Sequence, residues 1–97
     1  MIDRTPFRYE RLTVTNGAVV GLTAALIEDA HEVYITVEHT NIRWRIDGGD
    51  PGVADGHVYT AGAIVPIILR SPRAIVNFRM LSTGQDAQVL ITYFREA

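Results

Sequence analysis

Three aspartates and a histidine fall close together in one stretch, Ile46-Asp47-Gly48-Gly49-Asp50-Pro51-Gly52-Val53-Ala54-Asp55-Gly56-His57. Carboxylates so placed carry the oxygens that calcium prefers, but the spacing of Asp47, Asp50 and Asp55 does not follow the EF-hand loop. The residues between them support a structural reading. Asp-Gly and Asp-Pro steps favour tight turns, in which Asp oxygens accept backbone N–H bonds and Gly supplies positive φ. Asp47, Asp50, Asp55 and His57 therefore mark a candidate functional loop built on turns, with calcium binding as the alternative.

Other chemistry-bearing residues are scattered. His31, His39 and His57 each lie near a turn. Spacing alone leaves a three-histidine metal site open, and solvated histidines at strand ends are the structural reading. Glu28, Asp29 and Glu32 cluster beside a turn, whereas glycoside cleavage needs two carboxyl groups poised across a cleft. The chain has no nucleophile elbow, phosphate loop, dinucleotide fingerprint or zinc-binding spacing. It has no cysteine, which excludes disulfides and thiolate metal sites. The expectation is a protein that is not an enzyme and needs no cofactor or resident metal.

The elements that must position these residues follow a period of two. Val33, Ile35 and Val37 alternate with Tyr34, Thr36 and Glu38, and Ile42, Trp44 and Ile46 alternate with Arg43, Arg45 and Asp47. Two such runs joined by a short polar link read as a β-hairpin, turning at Thr40-Asn41. Setting Val37 opposite Trp44 brings Ile35 opposite Ile46 and Glu38 opposite Arg43. One face is then apolar, with Trp44 in the core, and the other carries an opposite-charge pair.

Further strands are expected over Tyr9 to Thr15, Ala18 to Thr23, Ala63 to Leu69, Ala74 to Leu81 and Ala87 to Phe94, with a short one at His57 to Thr60. Thr23 to His31 is the only helical candidate, and a turn of 3₁₀ helix or an extended link is expected there. Seven to eight strands at this spacing describe an all-β, antiparallel sandwich, jelly-roll-like.

At 97 residues the chain makes one domain, 1–97, with residues 1–7 expected as an extended N-terminal arm. A net charge of −2 gives no electrostatic footprint for nucleic acid. No apolar stretch approaches the ~20 residues that span a bilayer, and the N-terminus lacks the layout of a signal peptide. The expectation is a soluble chain with neither membrane nor nucleic acid as partner. All nine basic residues are arginine. A GC-rich genome accounts for that, and so does a protein–protein surface, since arginine pairs carboxylates bidentately and stacks on aromatics.

Several strands are apolar on both faces. Ile64-Val65 with Ile67-Ile68-Leu69 is the clearest case, joined by Ile75 with Leu81 and Leu90 with Phe94. A free sandwich of this size keeps one face of each sheet polar, so the excess points to swapped arms or a buried subunit interface. Candidate interface residues are Arg43, Arg45, Tyr34, Ile67, Leu69 and Ile75.

The ordered set Ile35-Thr36-Val37-Glu38, Ile42 through Pro51, Gly56-His57, Ala61-Gly62, Ala74 through Arg79 and Val89 through Tyr93 resembles a group of small β-sandwich proteins from the structural gene clusters of tailed bacteriophages. The resemblance runs over about residues 9 to 95. It implies a virion component, made in the host cytoplasm, that decorates or stabilises the capsid or forms part of the tail. Its implied partners are copies of itself, with a trimer favoured, and other virion structural proteins. Two departures stand out. Gly49 replaces the usual Thr or Ser after Asp-Gly, and Ile64 to Leu69 is more apolar than usual. A shorter resemblance, Arg43 through Pro51 and on to Val58-Tyr59, is to the chitobiase C-terminal type of sandwich module, which accompanies carbohydrate-active enzymes. The alternative function is thus a carbohydrate- or receptor-binding module at a fibre or tail tip, with Tyr34 and Tyr59 as the stacking residues.

Overall fold

The computed structural model describes residues 4–96. Eight strands form two four-stranded sheets. They are β1 (Arg4–Val14), β2 (Val20–Gly21), β3 (Glu32–Glu38), β4 (Ile42–Arg45), β5 (His57–Tyr59), β6 (Ile67–Leu69), β7 (Arg79–Ser82) and β8 (Ala87–Glu96). The first sheet has the order β1-β8-β3-β6 and the second β2-β7-β4-β5. Pairs β1–β8, β2–β7, β3–β6 and β4–β5 amount to one antiparallel ribbon wrapped over on itself, which is the jelly-roll wiring. The fold is an all-β sandwich. Two short helices, α1 (Ala24–Ile27) and α2 (Pro72–Asn77), close one end. No helix among the described residues is long and apolar enough to cross a membrane.

The core lies between the sheets. β8 alternates strictly, turning Ala87, Val89, Ile91 and Tyr93 inward, and β3 does the same with Val33, Ile35 and Val37. Ile42, Tyr59 and Met80 face them from the second sheet, and Ile75 and Phe78 seal the helical end.

Several expectations from sequence are corrected. The hairpin between residues 33–38 and 42–47 does not form. β3 pairs with β8 and β6, setting Ile35 opposite Ile91 and Val37 opposite Val89, while β4 pairs with β5 and β7 in the other sheet. His39, at φ +79°, turns the chain across the sandwich corner instead. Asn41 then ties three segments together. Its side-chain oxygen accepts from the Ala61 N–H at 2.8 Å, and its carbonyl accepts from the Thr83 N–H at 3.1 Å.

The second correction concerns residues 74–77, expected as strand and found in α2. Ser71 caps that helix, accepting from the Ala74 N–H at 3.4 Å, and Pro72 occupies its first turn, where a missing N–H costs nothing. The third is the segment after Thr23, where α1 is a single α-helical turn.

Trp44 is half-buried rather than enclosed. It packs beside the core with its ring 5.9 Å from Phe78 and 4.9 Å from His57. Residues 4–7, expected as an arm, are the start of β1, with Arg4, Thr5 and Pro6 paired to β8 and Phe7 at an irregularity in the register. Residues 1–3 of that arm lie outside the described residues.

Candidate functional site

The Asp-rich loop leaves β4 and returns at β5, and Arg45, the last residue of β4, organises it. Its Nε and Nη2 donate to the two oxygens of Asp47 at 3.0 and 2.6 Å, and its Nη1 donates to the Asp50 carbonyl at 3.1 Å. Asp55 completes the clamp with an ion pair to Arg45 at 3.7 Å. Asp47 also accepts from the Gly49 N–H at 3.2 Å, as an Asp in a tight turn does. Gly52 and Asp55 exchange backbone bonds, closing the tip of the loop. Arg43 reinforces its return, donating to the Gly56 carbonyl at 2.9 Å.

A Cβ at position 49 would stand 2.5 Å from Arg45 Nη2. The absence of a side chain at Gly49 is therefore what lets the guanidinium lie on the loop. Asp47, Asp55 and His57 line a shallow cleft of about 470 Å³ with Arg45. Asp47 is engaged by arginine and backbone, and Asp55 by a longer ion pair to the same arginine, so the loop is held largely by its own groups. Among the described residues, no three His, Asp or Glu side chains come together as a group that could hold a metal.

The Arg45 hydrogen bonds, with the Gly49 N–H, hold the Asp47 carboxyl down to about 2 from an ordinary 3.8. A depressed carboxylate stabilises the folded loop above its ordinary titration range, and that support is lost as pH falls through the folded value. The clamp should therefore loosen between about pH 4 and 2. A carboxyl titration by NMR should give an Asp47 midpoint near 2, returning to the ordinary range in Arg45→Ala. A wild-type midpoint near 4 would contradict the clamp.

The candidate interface residues separate into three groups. Ile67, Leu69 and Ile75 are buried in the chain's own core and present nothing to a partner. Arg43 and Arg45 serve the loop, and Glu38, expected opposite Arg43, pairs with Arg11 of β1 at 3.0 Å. Tyr34 alone lies on an open face. It points outward from the first sheet, 37% exposed, with its ring 4.8 Å from Phe94.

The strand register shows what surrounds Tyr34. Tyr9, Thr92, Tyr34 and Ile68 stand abreast across β1, β8, β3 and β6. Leu90 lies in the next row between Arg11 and Thr36, and Phe94 lies on the other side between Pro6 and Glu32. With strands ~4.8 Å apart, the Tyr9 and Tyr34 positions are ~10 Å apart on one surface. Tyr9 is 60% exposed, and Ile68, Leu90 and Phe94 are half-buried. Ion pairs flank the patch, Arg11–Glu38 at one end and Arg70–Glu32, at 3.1 Å, at the other. No family model, no curated protein and no solved structure matches the chain. The geometry of this patch must therefore speak for itself. The patch is an aromatic and aliphatic surface with charged ends.

The sequence places Tyr34 on the polar face of its strand and gives Leu90 with Phe94 as the second apolar face of theirs, but it does not bring the three onto one surface and offers no role for Tyr9. The alternation Tyr9, Arg11, Thr13 against Glu10, Leu12, Val14 carried the signal, since it places Tyr9 outward. Tyr59, the other proposed stacking residue, is buried, and its hydroxyl donates to the Val65 carbonyl at 2.8 Å.

Proposed function

We propose that the chain is a non-enzymatic structural component of a bacteriophage virion. In this reading it decorates or stabilises the capsid, or a part of the tail, by binding other virion proteins and copies of itself. The observation that carries the reading is the outer face of the first sheet, where Tyr9, Tyr34, Ile68, Leu90 and Phe94 form one surface with charged ends. An apolar centre with a polar rim is the anatomy of a protein–protein contact, and tyrosine is enriched in such centres. The virion setting is supported by the sequence resemblance, and it agrees with a jelly-roll wiring of the kind used in viral capsid and lectin domains.

Co-sedimentation with purified capsid and tail particles tests this. The wild-type chain should pellet with one of them, and Tyr34→Arg with Leu90→Arg should abolish pelleting while leaving the thermal unfolding temperature nearly unchanged. Unaltered pelleting of the double variant would remove the outer face from the account.

A carbohydrate-binding module is the second reading, favoured by the two exposed tyrosines at the ends of a Tyr9–Thr92–Tyr34 row. It predicts binding on a glycan array that Tyr9→Ala and Tyr34→Ala both lose. An array with no signal would dispose of it.

A further inference from the structure

The connection from β1 to β2 contains the chain's only Asn-Gly step, Asn16-Gly17. Such a step is reactive by its own chemistry. The Gly17 backbone nitrogen can attack the Asn16 side-chain carbonyl carbon, closing a five-membered succinimide and expelling ammonia. Water then opens the ring at either of its carbonyls. One opening leaves aspartate. The other leaves isoaspartate, in which the main chain runs through the side-chain carbons. Water is the sole co-reactant, and nothing is oxidised or reduced. Glycine favours the step because it has no Cβ to obstruct ring closure and leaves the backbone free to reach it.

A fold suppresses this reaction where it fixes the backbone or engages the side chain. It does neither at Asn16. Residues 16–19 are exposed and bend outside any strand. The chain is pinned on either side of them, where the Ser82 N–H donates to the Thr15 carbonyl at 3.1 Å and where Val20 pairs with Met80. Between those points the Gly17 N–H donates to the Thr15 hydroxyl at 3.3 Å, a long bond. Among the described residues, no hydrogen bond engages the Asn16 side chain. Gly17 is not at positive φ, and a Cβ there would meet nothing nearer than the Thr15 hydroxyl at 4.0 Å.

The comparable steps are restrained. The Asp47 carboxylate is taken by Arg45 and the Gly49 N–H, and Gly48 is fixed at φ +92°. Gly56, after Asp55, is fixed at φ +113° with Pro51 and the Trp44 carbonyl close around it. Asn41 accepts from the Ala61 N–H and precedes fully buried Ile42, and Asn77 ends α2 ahead of fully buried Phe78.

We propose that Asn16 is a site of spontaneous deamidation in the folded chain, the one Asx-Gly step that the fold leaves unrestrained. One neutral amide becomes one carboxylate, so the net charge of −2 becomes −3. The new charge stands at the end of the first sheet that also carries exposed Asp86, since Val14 pairs with Ala87 there. Isoaspartate also adds one carbon to the main chain between the two sheets. The modification is independent of the function proposed above.

Ageing the purified chain at neutral pH and body temperature, in ordinary and in oxygen-18 water, tests this. Trypsin releases residues 12–43 as one peptide, and its fragmentation separates Asn16 from Asn41. Asn16 should gain one mass unit, or three in oxygen-18 water, with isoaspartate the larger product. The rate should rise with pH, because the deprotonated backbone nitrogen is the nucleophile. It should lie within a fewfold of the rate in a synthetic peptide of residues 12–21. Gly17→Ala should slow the reaction at least severalfold and leave the thermal unfolding temperature unchanged, because the position has room for a Cβ. An Asn16 that stays intact while the peptide reacts, equal modification at Asn41 or Asn77, or an unchanged rate in Gly17→Ala would each overturn the proposal.

Discussion

Phe78→Ala is expected to lower the unfolding free energy by about 3–5 kcal/mol, a large share of the ~5–15 kcal/mol that holds a domain of this kind together. Phe78 is completely buried at the junction between α2 and β7, with its ring 30° from parallel to that of Trp44. The helix before it is too short to be stable on its own. It persists because Ile75 and Phe78 anchor it to the sandwich. Removing the ring opens a cavity and loosens the helix together, so the site cannot collapse cheaply. Urea unfolding followed by fluorescence of Trp44, the sole tryptophan, gives the cost directly. A cost under about 1 kcal/mol would mean that the helical end is not packed as described. If assembly is coupled to folding, the same transition will also depend on protein concentration.

Glu10→Ala should cost about 2–3 kcal/mol. Glu10 is half-buried on β1 and its carboxylate joins three segments. One oxygen accepts the hydroxyl of fully buried Tyr93, and the other accepts the Thr23 hydroxyl at 2.6 Å. Truncation leaves the Tyr93 hydroxyl without its acceptor in the core and frees the link into α1. Tyr93→Phe should be milder, at about 1 kcal/mol, since it removes the buried hydroxyl itself. The double variant should cost less than the sum, because both changes break one network.

The same network predicts alkaline sensitivity. Burial first, then the neighbouring Glu10 carboxylate, pushes the Tyr93 hydroxyl well above 10. A group whose folded value is raised contributes stability below its unfolded value and loses it as pH climbs toward the folded one. Stability should therefore begin to fall near pH 10, by about 1.4 kcal/mol per pH unit for this proton. Tyr93→Phe should flatten that slope by one proton. An unchanged slope would show that Tyr93 ionises freely.

The strands themselves were legible from period-two alternation, and so was the sandwich. Strand partners were not. Val33, Ile35 and Val37 present one apolar face whichever strand lies beside them, and a register with residues 42–47 satisfied both apolar and charged pairs. The true partners, Ile91 and Val89 of β8, satisfy the apolar side as well and lie more than fifty residues away in sequence. Alternation fixes which face a residue takes and leaves its neighbour open.

Residues 74–77 fit either period over so short a run. The Ser71-Pro72 pair was the better guide, because it marks a helix start. At the candidate site, the Asp-Gly and Asp-Pro turns were readable, but the role of Arg45 as their clamp required three-dimensional geometry. A strand apolar on both faces suggests a partner, which is why the sequence points to Ile67, Leu69 and Ile75 as interface. Here β6 is only three residues long, α2 covers part of the same run, and the excess apolar surface is exposed at Ile64 and Val65 instead.

The central claim is that the chain works by contact through the outer face of its first sheet. Its four tyrosines provide the most direct measurement. Tyr9 and Tyr34 are on that face, and Tyr59 and Tyr93 are buried. Tyrosine iodination followed by peptide mass analysis should label Tyr9 and Tyr34 in the free chain and neither in the chain bound to capsid or tail particles. Tyr59 and Tyr93 should remain unlabelled in both states. Equal labelling of Tyr9 and Tyr34 in the free and bound chain would contradict the account.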